Sequence, residues 1–355
     1  QLRAAVERGC RLIVVDPRDI GLAAQADIHL KLRPGTNVTF AHGVVNYLIQ
    51  HGLYDEDFVR ERTEGFEILA ATVRDYTPER VEAVCGIDRA DLVSAARMYA
   101  AADAAAIVYC LGVTEHSTGT DGVMALSNMA MVTGNLGKPG CGVNPLRGQN
   151  NVQGACDMGA GPDDMPGYQK VADPAVRQKF EQAWGMPLPA WRGLKATECF
   201  PAMLDGRIKG LFLFGEDPVR TDPDTHHVIR ALEALEFFVV DDLFLTETAR
   251  YADVVLPGRS YAEKEGTFTN TERRVQRVRK AVEGPAGPWL DTRIFAEVMN
   301  LMGVAQPQLS AAALMDEIAS VTPSYGGVSH ARLDGEAVAG RGLQWPCPSA
   351  EHPGT

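Results

Sequence analysis

Apolar and polar residues in the first part of the chain follow the order strand, helix, strand. An apolar run at 12–15 precedes a turn at 16–18, an alanine-rich stretch at 23–26 predicts a helix, and a second apolar run occupies 28–32. This order predicts two parallel strands joined by a right-handed crossover. Residues 1–9 resemble the end of a helix without a start signal, so we expect an amino-terminal portion to be missing.

Helical periodicity and boundary residues define most of the remaining first half. The turn 34–37 precedes apolar positions with helical spacing at 38–48, which predicts an amphipathic helix capped by that turn. The apolar stretch 105–111 predicts a buried strand. Three further helices are expected: after Thr77-Pro78, after Asp88, and at 120–133, where Gly134 closes the helix.

The same alternation returns in the second half, after a stretch rich in glycine, proline and asparagine. Half of residues 134–167 belong to these three types, and we place a domain boundary inside that stretch. Beyond it, strands are expected at 210–214, 237–240 and 253–256, with a helix at 224–235. The sequence therefore predicts an α/β protein with two doubly wound Rossmann-like domains and mainly parallel sheets. The first domain is placed at 1–149 and the second at 150–355, ending in an irregular carboxyl-terminal extension.

Composition excludes several classes of function. The chain has 355 residues, of which 45% are hydrophobic and 23% charged, as in a soluble globular protein with room for two cores. No apolar stretch is long enough to span a membrane, and nothing at the amino end resembles a secretory signal. The net charge of −12 argues against a nucleic-acid partner. Seven widely spaced cysteines without a C-x-x-C pair indicate reduced thiols in a cytoplasmic protein.

The run 144–159 is the segment that most favours a binding site. It has neither strand nor helix periodicity, is dense in Gly, Asn and Gln, and contains a single basic residue, Arg147. Backbone and amide groups outside a helix or sheet need other partners, so the run predicts either contact with a large polar ligand or a long surface loop. Arg147 favours the ligand.

Three of the expected strands are followed by an aspartate, namely Asp16, Asp217 and Asp242. The carboxyl ends of parallel strands form the edge at which doubly wound sheets bind ligands, and an aspartate there can accept hydrogen bonds from a guanine edge or a ribose diol. Each of these aspartates could instead only cap the following helix. Their recurrence in both domains favours a nucleotide. The absence of a G-x-G-x-x-G motif and of a Walker A motif disfavours an ordinary NAD or P-loop site.

No other catalytic arrangement stands out in the sequence. A Ser-His-Asp or Cys-His nucleophile would need a thiol such as Cys156 beside a histidine, and the spacing gives no sign of this. The histidines show no metal-ligand spacing, so no metal site is predicted within the chain.

Several motifs resemble the catalytic alpha subunit of molybdenum- or tungsten-dependent formate dehydrogenases, which belong to the dimethyl sulfoxide reductase superfamily. The resemblance covers nearly the whole chain and rests on the segments 112–114, 131–137, 143–159, 215–218, 240–244, 252–257 and 265–270. It implies two molybdopterin guanine dinucleotides carrying molybdenum or tungsten, and the oxidation of formate to carbon dioxide with release of two electrons and a proton.

The resemblance also implies roles for individual residues. Arg147 matches the arginine beside the metal that holds the formate carboxylate, a role suited to a planar guanidinium that stays protonated. Gln149 matches a residue near the pterins. The other implied cofactor-binding residues are Asp16, Arg18, Gly35, Thr36, Asn37 and Gly112 in the first domain, and Gly215, Asp217, Thr221 and Asp242 in the second.

The chain departs from the family pattern at both ends. The cysteine cluster for a 4Fe-4S centre, the cysteine or selenocysteine that ligates the metal, and the carboxyl-terminal barrel-like domain are not found in it. We therefore expect two central domains of a longer enzyme, unable to turn over formate alone, whose electrons pass to other subunits or to an iron–sulfur partner.

Two alternatives remain open at this stage. The chain could be a noncatalytic module that binds molybdopterin guanine dinucleotide, or part of another superfamily member such as a nitrate reductase. The sequence does not distinguish molybdenum from tungsten and does not identify the electron acceptor.

Overall fold

Two compact units make up the chain, residues 1–147 and residues 148–355. The structure is a computed structural model that describes residues 2–335 and 340–354. Each unit contains its own hydrophobic core and combines helices with parallel strands. This organisation confirms the predicted α/β class with mainly parallel sheets.

The first unit contains eight described helices and four described strands. The helices are α1 (Leu2–Glu7), α2 (Asn37–Gln50), α3 (Glu56–Arg62), α4 (Phe66–Val73), α5 (Pro78–Cys85), α6 (Arg89–Ala100), α7 (Leu111–Thr114) and α8 (Gly119–Val132). The strands are β1 (Ile13–Val15), β2 (Ile28–Leu30), β3 (Ala106–Tyr109) and β4 (Gly142–Pro145). β1 pairs with β2, and β3 pairs with β4, both in parallel.

Helix α2 forms the centre of the first core. It packs against α4, α5, α6 and α8, and its side chains at Val44, Val45 and Leu48 are almost completely buried. Burial of one such side chain contributes about 2 kcal/mol to stability. The expected cap of α6 is confirmed, because Asp88 accepts a hydrogen bond from the backbone N–H of Ala90 at 2.6 Å, whereas no side chain of the turn 34–37 caps α2. A local polar contact therefore sets where α6 begins.

Two expectations for the first unit were wrong. The alanine-rich stretch forms only a short 3-10 turn at Ala23–Gln25 instead of a crossover helix. Strand β3 is half exposed instead of buried, since its side chains alternate between exposed and partly buried positions. Composition identified an apolar strand there but not how many of its faces are covered.

The second unit contains the remaining described elements. The helices are α9 (Val152–Asp157), α10 (Pro174–Trp184), α11 (Ala196–Leu204), α12 (Pro218–Thr221), α13 (Thr225–Glu233), α14 (Asp291–Leu301), α15 (Ala311–Val321) and α16 (His330–Asp334). The strands are β5 (Asp164–Met165), β6 (Gln169–Lys170), β7 (Gly210–Phe214), β8 (Phe237–Asp242), β9 (Val254–Pro257), β10 (Gly266–Thr269), β11 (Arg274–Val278) and β12 (Leu343–Gln344).

A three-stranded parallel sheet organises the second unit. Its order is β7, β8, β9, with Gly210 opposite Phe237 and Val239 opposite Val254. Strand β8 is the central strand, and Phe238 and Val240 are buried in one core cluster. The three strands match the sequence expectation closely because each is a short apolar run bounded by turn residues.

The glycine- and asparagine-rich stretch is more ordered than its composition indicates. Residues 134–167 include strand β4, helix α9 and strand β5, which forms a short hairpin with β6 just after the stretch. The expectation of a run without regular structure was therefore wrong for its ends and holds for residues 146–151. The antiparallel sheet β10–β11–β12 was not expected either.

Candidate functional site

Asp16 and Arg18 lie immediately after β1 in the first unit. One oxygen of Asp16, Oδ1, accepts a hydrogen bond from the backbone N–H of Arg18 at 2.8 Å, and the guanidinium of Arg18 lies 3.8 Å from the same oxygen. Arg18 is mostly exposed. This local turn fixes the direction of the carboxylate at the end of the strand.

The turn before α2 contains three more of the implied cofactor residues. The hydroxyl of Thr36 donates to the carbonyl of Arg33 at 2.6 Å, so Thr36 occupies the helix cap position without capping through its side chain. Asn37 Nδ2 donates to the carbonyl of Gly112 at 3.1 Å. The structure thus brings the Gly35–Asn37 turn next to Gly112, although 75 residues of sequence separate Asn37 from Gly112.

Arg147 follows β4 at the end of the first unit. Arg147 is exposed, and its guanidinium makes no hydrogen bond or ion pair with the residues that the structure describes. The chain before it is tied down, because Leu146 N donates to the carbonyl of Tyr109 at 2.7 Å. Burial raises the pKa of the Tyr109 phenol, and the positive charge of Arg147 opposes that rise. Arg147 is a positioned cation whose donors remain available to an external anion.

Gly215, Asp217 and Thr221 follow β7 in the second unit. Asp217 Oδ1 accepts hydrogen bonds from the hydroxyl of Thr248 at 2.6 Å and from its backbone N–H at 3.0 Å. Thr248 is fully buried, and its hydroxyl also accepts from Val219 N at 3.0 Å. The hydroxyl of Thr221 donates to Glu216 Oε1 at 3.1 Å. Asp217 therefore has a structural role that the sequence did not reveal.

Asp242 is the last residue of β8, at the same sheet edge. Its Oδ1 accepts from the backbone N–H of Leu243 at 2.6 Å, and the Gly258 N–H donates to its carbonyl at 3.1 Å. Three apolar side chains follow directly and face solvent: Leu243, Phe244 and Leu245 are 49%, 75% and 71% exposed. Asp242 is thus half-buried beside an exposed apolar segment.

The neighbouring carboxyl of Asp241 was missed by the sequence reasoning. Asp241 is 1% exposed, and neither of its oxygens has a hydrogen-bond partner among the described residues. A Cβ atom on Gly258 would lie 2.8 Å from Asp241 Oδ1 and 2.9 Å from Asp291 Oδ1, so the backbone at Gly258 approaches both carboxyls closely. Lys264 forms an ion pair with Asp291. Only its place in a strand end could have drawn attention to Asp241.

The three strand-end aspartates share one arrangement. In each, Oδ1 accepts hydrogen bonds from nearby groups of the chain, while Oδ2 has no partner among the described residues. The first contact fixes the carboxylate, and the second oxygen remains free to accept from a ligand N–H or O–H group. The sequence offered capping of the following helix as the alternative role of these aspartates, but within the described part of the chain none of the three makes a side-chain hydrogen bond to an N–H group at the start of that helix.

Gln149 lies in an exposed segment near the start of the second unit, and its side chain has no hydrogen-bond partner among the residues described. Eight residues later, Asp157 is buried within a hydrogen-bond network that the sequence did not indicate. In the described ranges 2–335 and 340–354, no helix is long and apolar enough to cross a bilayer. Nor do those residues contain a group of three or more His, Cys, Asp or Glu side chains arranged to hold a metal ion.

Comparison with known proteins gives consistent matches. The family model described as Molybdopterin oxidoreductase matches residues 1–301. The alpha subunit of F420-dependent formate dehydrogenase 1 from Methanococcus maripaludis is 46% identical over 355 residues, covering 99% of this chain and 51% of that protein. Formate dehydrogenase H from Escherichia coli is 44% identical over 344 residues, covering 97% of this chain and 48% of that protein.

A solved structure matches the fold. Acetylene hydratase from Pelobacter acetylenicus aligns with a TM-score of 0.73 and 24% identity, over 93% of this chain and 48% of that chain. The chain spans about half the length of the curated relatives it matches.

Proposed function

The chain belongs to the molybdopterin oxidoreductase family, and on that premise we propose that it is part of an enzyme that oxidises formate to carbon dioxide. The relatives named formate dehydrogenases at 44–48% identity support this substrate. We further propose that the pterin is bound as two guanine dinucleotides, one by each unit, with molybdenum or tungsten. When bound, this group supplies a two-electron acceptor.

Arg147 is the single observation that carries the substrate assignment. A formate ion is a small planar carboxylate, and a guanidinium offers it two parallel N–H donors that a lysine cannot match. Because Arg147 is exposed and unpaired among the described residues, no internal ion pair has to be broken before it binds an anion. In the proposed reaction it orients the carboxylate and leaves the C–H bond free to react.

The strand-end aspartates support the nucleotide part of the proposal. A guanine presents adjacent N–H donors, and a carboxylate with one fixed and one free oxygen is chemically suited to accept from them. Asp16 would serve this purpose in the first unit, and Asp217 and Asp242 in the second. Thr36, Asn37 and Gly112 would line the first site, and Thr221 and Gly215 the second. The residues present therefore fit the implied group.

The remaining parts of the enzyme enter as further proposals. Electrons would leave through an iron–sulfur centre or other subunits, and three of the relatives are named F420-dependent formate dehydrogenases. We propose a cytoplasmic location. A 4Fe-4S centre would have to be bound by residues outside this chain.

Replacement of Arg147 by lysine in the full-length, cofactor-loaded enzyme tests the assignment. The charge is kept and the paired donors are lost, so formate turnover per bound cofactor should fall by about two orders of magnitude or more. Arg8→Lys, at an exposed arginine of the same unit, is the matched control and should retain turnover. Nitrate and formate are assayed side by side.

The outcomes separate the alternatives. Near-normal formate turnover in Arg147→Lys would contradict the role of Arg147. If the cofactor-loaded wild-type enzyme reduces nitrate but does not oxidise formate, the proposed activity is nitrate reduction and not formate oxidation. A loaded protein inactive toward both substrates would favour a noncatalytic cofactor-binding module.

A further inference from the structure

We propose that Asp157 is a positioning residue, whose buried carboxylate holds helix α9 so that Gln149, in the segment 148–151 before it, meets the pterin cofactor. The inference rests on the proposed function for the identity of the ligand. It concerns a residue that neither the sequence nor the resemblance singled out.

The carboxylate of Asp157 is buried and fully hydrogen-bonded. It is 1% exposed, and it accepts from the phenol of Tyr325 at 2.5 Å, from the phenol of Tyr168 at 2.8 Å, and from Gln153 Nε2 at 2.8 Å. A buried carboxylate is costly unless such donors replace water, and hydrogen bonds to a charged acceptor are about twice as strong as neutral ones. The network therefore favours a single orientation of the end of α9.

The two phenols remain donors over the whole working pH range. Burial raises the pKa of Tyr325 and of Tyr168, and their hydrogen bonds to Asp157 raise both further. The hydroxyl of Tyr325 also lies 3.1 Å from Thr269 Oγ1, which connects the network to strand β10.

The backbone conformation of Tyr168, which contacts Asp157, is energetically unfavourable. Tyr168 has a φ of 59°, a left-handed conformation that costs a residue with a side chain roughly 1 kcal/mol or more. Gly167 before it has a φ of 78°, and its N–H donates to the carbonyl of Asp157 at 2.7 Å. The turn between β5 and β6 thus accepts strain and bonds to Asp157 through both backbone and side chain.

The start of α9 is fixed to the same neighbours. Asn151 Oδ1 accepts from the backbone N–H of Thr269 at 2.9 Å. Its side chain folds over the first turn of the helix so closely that a Cβ atom at Gly154 would lie 2.2 Å from Oδ1. Both ends of α9 are therefore bound to β10 or to residues that contact it, and Gln149 is only two residues from the fixed Asn151.

These contacts fix the backbone close to Gln149 but leave the side chain of Gln149 unbound. Its side chain is exposed and unpaired among the described residues, as expected for a group whose partner is a ligand. Loss of the Asp157 carboxylate should let α9 turn or shift, and the displacement would reach Gln149 through the backbone. The effect of Asp157 on cofactor binding should therefore depend on the presence of Gln149.

A double-mutant cycle in the full-length holoenzyme tests this dependence. The variants are Asp157→Asn, Gln149→Ala and the two combined. The measured quantities are the rate at which molybdopterin guanine dinucleotide leaves the protein, and kcat and KM for formate. Asp164→Asn is the matched control, since Asp164 lies in the neighbouring hairpin and pairs with Lys170 outside the network.

We expect Asp157→Asn alone to raise the rate of cofactor loss by about tenfold. In the Gln149→Ala background the same substitution should raise that rate by less than about twofold. kcat should fall more than KM changes, and Asp164→Asn should behave like the wild type. Tyr168→Phe, which removes one donor and keeps the carboxylate, should give a smaller effect in the same direction, and it replaces Asp157→Asn in the cycle if that variant does not fold.

Additive effects of the two substitutions, or cofactor retention unchanged by Asp157→Asn, would overturn the proposal and leave the network a purely structural element. Cofactor release is measured without formate. Failure of formate oxidation with intact coupling would therefore contradict the proposed function and not this inference.

Discussion

Replacement of Asp241 by asparagine should make the stability of the second unit less dependent on pH. The carboxyl is buried at the end of β8 without a hydrogen-bond partner among the described residues. Burial raises its pKa to about 6, and the nearby charges of Asp291 and Asp242 add to the rise, while Lys264 opposes it. The protonated form is therefore the one that the fold favours.

The sign and size of the effect follow from this pKa. Well below pH 3.8, the reference pKa of an aspartate, the group is neutral in both states and makes no pH-dependent contribution to stability. As the pH rises from there to about 6, only the unfolded chain ionises, so the folded state loses stability. Above that pH the loss stays constant at about 3 kcal/mol, because one pKa unit corresponds to about 1.4 kcal/mol.

Asparagine has nearly the same shape and cannot ionise. On going from pH 5 to pH 8, the free energy of unfolding of the variant should therefore rise by about 1.4 kcal/mol relative to that of the wild type. The rest of the destabilisation by the Asp241 charge, roughly half, is already present at pH 5. The cost of burying an unpaired amide is the same at both values and cancels in this difference. The comparison thus isolates the charge of one side chain.

Urea denaturation of the 355-residue chain measures the difference. All four tryptophans lie in the second unit, so their fluorescence follows the unfolding of that unit: Trp184, Trp191, Trp289 and Trp345. Asp316→Asn, at an exposed position in α15, is the control and should track the wild type at both pH values. A stability difference between Asp241→Asn and wild type that is equal at pH 5 and pH 8 would refute the reasoning.

Three further outcomes can be checked on the same chain. Thr248→Val removes a buried hydroxyl bonded to Asp217 and to a backbone N–H, and should lower the free energy of unfolding by about 2 kcal/mol; an unchanged urea midpoint would contradict this. Gly154→Ala should displace Asn151 and cost about 1–3 kcal/mol, whereas Gly148→Ala, with no atom within 4 Å, should be tolerated; equal losses would contradict the close approach. Amide hydrogen exchange in the exposed segment between β4 and α9 should slow when molybdopterin guanine dinucleotide is added, and unchanged exchange would mean that this segment needs no ligand to become ordered.

Features set by neighbouring residues could be predicted from the sequence. The strand 210–214 was predicted with its observed bounds, and Asp88 and Asp224 were placed correctly at helix starts, because caps and turns depend on contacts within three or four residues. The aspartates at the strand ends were found for the same reason. The resemblance supplied the role of Arg147, which no local pattern specifies.

Features set by distant contacts could not be predicted. The hydrogen bond between Asp157 and Tyr325 joins residues 168 positions apart, and nothing near Asp157 in the sequence announces it. Helix α9 forms in a glycine- and asparagine-rich run because β10 and Tyr325 hold its two ends, a tertiary effect that overrides weak local propensity. The burial of Asp241 likewise depends on Asp291 and Gly258, which arrive from later parts of the chain.

The exposed apolar side chains of Leu243, Phe244 and Leu245 have a practical consequence for handling the chain in solution. Three consecutive apolar groups facing water can adhere to the same segment of another molecule, and repulsion between copies of net charge −12 opposes that association. Added salt screens the repulsion, and acid removes it as carboxylates take up protons. The chain should therefore aggregate least in dilute buffer at neutral or alkaline pH. Light scattering should rise with salt concentration in the wild type, and this rise should be absent when Phe244 is replaced by a polar residue.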